Sequence, residues 1–188
     1  MRTKLAVLLI LLLVTAGCGS RQISHESFMR EGVSLAYVQR VAVLPLENLG
    51  GGAGQAERVR EIVITQVLAS GLFDVADKGR VDSVLREEAI APGAAIEDAT
   101  LRRLGQTLGT EAFILGSVEQ GTESRGGAAY PEINLTLRLV DSESGLILWQ
   151  ASGRGSGYSV SDRLFGTTPK SAFQVTLELV NSLLRSMH

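Results

Sequence analysis

Apolar residues fall along this chain in two rhythms, short blocks and longer stretches at helical spacing, and the alternation of the two sets out its elements. Arg40-Val-Ala-Val-Leu-Pro-Leu46 is a continuous block of largely branched side chains, the pattern of a strand covered on both faces, with Pro45 near its end. Glu47 to Gly54 reads as a glycine-rich loop, after which Val59, Ile62, Val63, Gln66 and Val67 recur as one helix face and Gly71 supplies a C-terminal cap. Leu72-Phe-Asp-Val-Ala76 is a short strand, and Val81, Val84 and Leu85 mark a second helix running to about Ala89, ended by Pro92 and Gly93. Asp98 is placed to cap a third helix carrying Leu101, Leu104 and Leu108, closed by Gly109. Ala112-Phe-Ile-Leu-Gly-Ser-Val118 is another buried strand. Ile133, Leu135, Leu137 and Leu139 alternate with Asn134, Thr136 and Arg138, which predicts a strand with one wet face. Asp141 to Gly145 turns the chain into a partner strand, Leu146-Ile-Leu-Trp149, with Trp149 expected in the core. Thr168-Pro169 opens a last helix whose apolar stripe is read as Phe173, Leu177, Val180 and Leu184. The order β, α, β, α, α, β, β, β, α predicts an α/β (α+β) domain, one mixed sheet of about five strands packed with about four helices.

The first 17 residues follow another pattern. Arg2 and Lys4 precede about ten apolar residues, Leu5 to Val14, too few for a membrane span of roughly 20 and right for an export signal. Thr15-Ala16-Gly17 then leads into Cys18, the chain's single cysteine, an arrangement that resembles the bacterial lipobox, in which cleavage falls before the cysteine and a diacylglycerol is attached to it. The resemblance implies residues 1–17 as a lipoprotein signal peptide and Cys18 as the lipidation site; residues 18–37, polar, mixed in charge and without clear periodicity, read as a flexible tether, and residues 38–188 as the folded domain. Each buried acyl methylene contributes about 0.8 kcal/mol, so two or more chains anchor a protein stably to a membrane.

Charge and residue types narrow the chemistry. Loss of Arg2 and Lys4 with the leader takes the formal charge from −2 to −4, and no basic cluster longer than Arg102-Arg103 occurs, so nucleic-acid binding has no electrostatic support. The only histidines, His25 and His188, lie in the expected tether and at the last residue, poor positions for a catalytic base or a metal ligand. Gly50 to Gly54 follows a strand and precedes a helix, but neither a third fingerprint glycine nor a Gly-Lys-Ser/Thr follows, so a mobile loop is the better reading than a phosphate cradle. Gly153, Gly155 and Gly157 are likewise read as flexibility. Glu87-Glu88 and Glu97-Asp98 read as solvated surface and helix capping. No cofactor, metal or catalytic residue is expected, and the chain is read as a non-enzyme.

Val41-Ala-Val-Leu-Pro-Leu-Glu-Asn48, the Ala56–Ser70 helix, Gly71-Leu-Phe-Asp-Val75, the helix at Arg80–Leu85, Ala112–Val118 and Leu137–Trp149 succeed one another in an order that resembles the periplasmic domain shared by the curli-secretion lipoprotein CsgG and the penicillin-binding-protein activator LpoB, itself similar to the N-terminal domain of TolB. The resemblance covers nearly all of residues 38–188. It implies an outer-membrane lipoprotein facing the periplasm, since Gly19 is not the aspartate associated with inner-membrane retention. The curli channel carries long hairpins after the strands matching Phe113–Val118 and Leu146–Trp149, whereas Glu119–Tyr130 and Gly153–Thr168 are too short and polar for spanning strands of about 9–11 residues. The resemblance thus implies a lipid-anchored binding or regulatory module for an envelope protein, a peptidoglycan synthase or a secretion component. The alternative is an oligomeric part of an envelope secretion or assembly apparatus without spanning hairpins of its own, so self-association is a second partner class. Surface loops carry contacts more often than covered strands do. The contact regions are therefore expected at Glu47–Gly54, Gly121–Tyr130 and Gly153–Thr167, with Tyr130, Arg154 and Tyr158 contributing most.

Overall fold

The block Arg40–Leu46 becomes an inner strand covered on both faces, with Val41, Ala42 and Val43 at most 1 % exposed. The computed structural model describes residues 23–125, 127–159 and 168–187, so Cys18 lies outside the described residues. In chain order the elements are β1 (Ile23–Met29), β2 (Arg40–Val43), β3 (Glu47–Gly50), α1 (Gln55–Ser70), β4 (Asp74–Val75), α2 (Lys78–Glu87), α3 (Asp98–Leu108), β5 (Ala112–Arg125), β6 (Ala128–Asp141), β7 (Ile147–Ser156) and α4 (Ala172–Leu184). The strands form one mixed sheet in the order β1-β7-β6-β5-β2-β4, with β3 also on β5. β2 pairs in parallel with β4 and β5, and β3 in parallel with β5, while β5, β6, β7 and β1 are antiparallel neighbours.

The sheet has two cores. One face meets α1 and α4 through Val59, Val63 and Val67 and through Val175, Leu179 and Leu183, packed on Ile114, Ile133, Leu137 and Trp149. The other meets α2 and α3 through Val81, Leu85, Leu101, Leu104 and Leu108, packed on Ala42, Leu44, Phe113 and Val140. Between β2, α1 and α2 lies Arg60, fully buried, whose Nε donates to the Val43 carbonyl at 3.0 Å and whose Nη1 donates to Asp82 at 2.7 Å. Burial by itself would raise the Asp82 carboxyl, but hydrogen bonds from Arg60 and Lys78 outweigh that and hold it below the ordinary value.

Five expected strands and four expected helices are present, and the sheet gains two strands. β1 runs through the first part of the expected tether: Ile23 to Met29 pairs with β7, from Ile23 opposite Gly155 to Met29 opposite Trp149. Ser24 to Phe28 are exposed, so main-chain pairing rather than an apolar pattern makes this strand. The chain from Arg30 to Tyr37 is also tied down. Arg30 Nε donates to the Ile147 carbonyl at 2.8 Å, and Tyr37 Oη donates to Asp141 Oδ1 at 2.8 Å. Desolvation, joined by the Asp141 carboxylate, pushes the Tyr37 hydroxyl up to about 12. The second addition is β3, which occupies part of the expected glycine-rich loop because β5 continues past Val118 and offers it a partner.

The alternate glycines of β7 also differ from their reading as flexibility. A Cβ on Gly155 would stand 2.7 Å from Val175 Cγ1, and one on Gly153 would stand 3.0 Å from Leu179 Cδ1. These glycines are the strand surface on which α4 rests, and they set its rotation. The buried stripe is accordingly Val175, Thr176, Leu179, Val180, Leu183 and Leu184, while Phe173 of the expected stripe is 60 % exposed. The helix begins at a capping box made by Ser171 and Gln174, two residues beyond Pro169. Asp98 lies in the first turn of α3, and Glu97 holds the cap position.

Candidate partner-binding face

β5 and β6 are each 14 residues long, and their ends project past the helices as a hairpin. Alternation then places one row of side chains on the face that α2 and α3 cover only in part. Near the body that row is Phe113, Leu115 and Val140; further out it turns polar. There Ser117 and Glu119 of β5, Asn134 and Thr136 of β6, Ser152 and Arg154 of β7, and Ser24 and Glu26 of β1 line an open concavity of about 490 Å³, with Leu49 of β3 at its rim. Asn134 Nδ2 donates to Glu119 at 3.1 Å, and the Thr136 and Ser152 hydroxyls lie 2.9 Å apart.

Toward the hairpin tip the same face carries a charged ladder. Arg154 bonds Glu132 at 2.7 Å and lies 4.0 Å from Glu123, which Arg125 bonds at 2.6 Å. The hydrogen bond from Arg125 holds the Glu123 carboxyl below its ordinary value, against a smaller opposing effect of desolvation. The Arg125 guanidinium stacks over the Tyr158 ring at 4.8 Å, and Tyr158 meets Tyr130 edge-on with ring centres 5.1 Å apart. The three residues expected to make contacts are thus gathered in one region, with different exposure. Arg154 is exposed and lines the concavity, Tyr158 is half-buried, and Tyr130 is only 8 % exposed, a support for Tyr158 rather than a projecting side chain. Tyr130 lies in β6 opposite Glu123, not in a loop tip, and Tyr158 packs against its ring.

The arrangement can do ionic and hydrogen-bond recognition of a polar surface. It offers hydroxyls, an amide, carboxylates and a guanidinium already aligned by the sheet. His25 Nδ1 lies 3.0 Å from Ser182 Oγ, between β1 and α4, and among the described residues no carboxylate is hydrogen-bonded to His25. Among the described residues no three His, Cys, Asp or Glu side chains are placed to hold a metal ion. Glu88 is engaged by Arg103 at 3.1 Å on the surface, and Glu87, Glu97 and Asp98 are exposed. Of the face's residues, sequence reasoning missed Ser24, Glu26, Ser117, Glu119 and Ser152. The period of two that exposed Asn134 and Thr136 continues into β7 and past Val118 in β5, a signal that could have found the last three; Ser24 and Glu26 lie in the stretch read as a tether and carry none.

The family model described as peptidoglycan-synthase activator LpoB matches residues 24–154, which takes in the sheet and this face. No curated protein matches the chain. Among solved structures, the PelC dodecamer from Paraburkholderia phytofirmans is similar at 18 % identity and a TM-score of 0.60, covering 86 % of this chain and 94 % of that one. The lipoprotein GNA1162 from Neisseria meningitidis is similar at 18 % identity and a TM-score of 0.57, over 79 % of this chain and 97 % of that one. At these identities the likeness is one of fold.

Proposed function

The chain belongs to the peptidoglycan-synthase activator LpoB family, and from that premise we propose that it is a lipid-anchored, periplasm-facing regulator of a peptidoglycan synthase, held to the outer membrane through Cys18 and without enzymatic activity of its own. The observation that carries the reading is the open polar face: a preformed sheet surface of hydroxyl, amide and charged groups with one large opening, suited to docking a protein rather than enclosing a small molecule. Arg154 lines it on the side toward the hairpin tip, Tyr158 lies beyond it at the hairpin end, and Tyr130 holds Tyr158 in place.

The test is glycan-chain polymerisation by a purified peptidoglycan synthase on its lipid-linked precursor, with and without residues 18–188. Added domain is expected to raise the rate, and Arg154→Glu to remove the increase while leaving the fold intact. An unchanged rate with the wild-type domain across the synthases of its own cell envelope would sink the reading.

A second reading, assembly into an oligomeric envelope apparatus, is favoured by an apolar groove between α1 and α4. Ile62, Phe173 and Leu177 line it, with a volume of about 360 Å³. Its other support is the dodecameric state of the similarly folded PelC. The lipidated protein in detergent would then sediment as a ring, and Phe173→Ser would return it to monomer. A monomer at every concentration would exclude this reading.

A further inference from the structure

We infer that the β5–β6 hairpin tip rests on the lipid headgroup surface, so that the domain stands on its membrane with the hairpin end down. This rests on the proposed lipidation of Cys18. Three features of the chain path carry it.

The first is where the folded domain begins. Ile23 opens β1 opposite Gly155, Gly155 lies opposite Ile133, and Ile133 lies opposite Gln120, so these four residues form one row across the sheet. From that row β5 and β6 continue together for five further pairs, to Arg125 opposite Ala128. At about 3.4 Å per residue the hairpin therefore projects about 17 Å beyond the point where the chain enters the sheet. β1 starts at Ile23, on the tip side of the sheet, and runs away from the tip to Met29 opposite Trp149.

The second is the length of chain before that point. Four residues, Gly19 to Gln22, separate Cys18 from Ile23, and fully extended they allow at most about 18 Å. Reach and projection match, so an acyl chain seated in the bilayer at Cys18 brings the tip to the headgroups. The inverted posture is excluded by the same lengths. From Ile23 to Met29, β1 alone runs about 20 Å the other way, more than the link to Cys18 could lift clear of the lipid.

The third is the character of the tip. Ser124, Arg125, Ala128 and Ala129 are exposed, and among the described residues each cation of this end has an acidic partner: Arg125 with Glu123, Arg154 with Glu132, Lys170 with Glu178. Among the described residues the tip carries no unpaired cation to draw it to anionic lipid, so the contact is attributed to the short link. Gly157, just past β7, lies at this same end, against Pro131 and the Lys170 carbonyl.

The experiment uses full-length lipidated protein in phosphatidylcholine vesicles carrying a rhodamine-headgroup lipid as energy acceptor. With Cys18 acylated, one new thiol takes a donor dye: Ala128→Cys at the tip, or Gln106→Cys on α3, which packs against the opposite end of the sheet where a Cβ on Gly105 would meet Ser142. The tip donor should lose most of its emission and the α3 donor much less, with the same result when half of the lipid is phosphatidylglycerol. A flexible insertion of a dozen Gly and Ser residues between Gln22 and Ile23 should bring tip quenching down toward that at Gln106. Ser124→Cys replaces Ala128→Cys if the latter misfolds. Equal quenching at both sites in vesicle-bound protein overturns the posture and leaves the anchor standing. Protein that fails to float with vesicles, or a Cys18→Ser variant that floats equally well, overturns the anchor and the posture together.

Discussion

β5 and β6 each pass through two environments, and the contrast between their two halves explains most of the molecule. Where they run beside β2, helices cover both faces, and Ile114, Phe113, Leu137 and Leu139 are fully buried. Where they pass Val118 and Ile133, α4 still covers part of one face through β7, while the other stays open and polar as far as the tip. The same backbone pairing serves both halves. In the first, apolar burial holds the fold; in the second, main-chain hydrogen bonds hold the strands while polar side chains pair with one another at the surface. Substitutions should therefore separate stability from binding according to which half they touch.

The largest expected effect is in the covered half. Trp149 is fully buried, and its Nε1 donates to Ser186 at 3.1 Å. Trp149→Ala should cost about 3–5 kcal/mol in urea unfolding, a loss set by cavity formation. A cost under about 1 kcal/mol would show that the α4 face is not well packed. Next comes a pair in the outer half that contrasts its face under α4 with its open face. Gly155→Ala pushes a methyl group into Val175 and should cost about 1–3 kcal/mol, whereas Gly121, with nothing within 4 Å of its added Cβ, should accept Ala within about 0.5 kcal/mol. Equal costs would erase the distinction.

These glycines show what is legible in a sequence and what is not. The covered half was readable because burial writes a pattern: unbroken apolar runs for β2 and β5, a period of two for β6, a helical period for α1 and α3. β1 was not readable. Ile-Ser-His-Glu-Ser-Phe-Met has no apolar rhythm, since an edge strand needs only a partner's main chain, and that partner lies more than a hundred residues away. Gly153 and Gly155 misled for a related reason. Alternate glycine signals close approach as readily as flexibility, and only the position of α4 decides between them. Arg154, expected as an exposed loop residue, lies on the open face; Tyr130 was chosen by type, and its buried setting depends on a hairpin longer than its polar residues suggested.

A smaller effect concerns the segment between β1 and β2. Tyr37 holds the chain before β2 against Asp141 at the far end of β6. Tyr37→Phe removes one hydrogen bond and should cost about 0.5–1.5 kcal/mol. Its neutral form is favoured by folding, since the hydroxyl is raised from 10.0 to about 12, so this contribution is complete below pH 10 and is lost as pH rises toward 12. Tyr37→Phe should remove that part of the alkaline loss in stability. An unchanged alkaline profile would mean that the Asp141 contact is not formed in solution.

The smallest expected change in stability belongs to the open half. Arg154 is half-exposed and its ion pairs are solvated, so Arg154→Glu should alter unfolding by no more than about 1 kcal/mol while abolishing synthase stimulation. The most direct measurement places a photo-crosslinking amino acid at Ser152, in the middle of the open face, and at Gln106, an exposed position on α3, in the lipidated protein in its own envelope. Docking through the open face predicts a Ser152 adduct that contains a peptidoglycan synthase and none at Gln106. A Ser152 yield no greater than that at Gln106, or synthase captured from Gln106 alone, would contradict it.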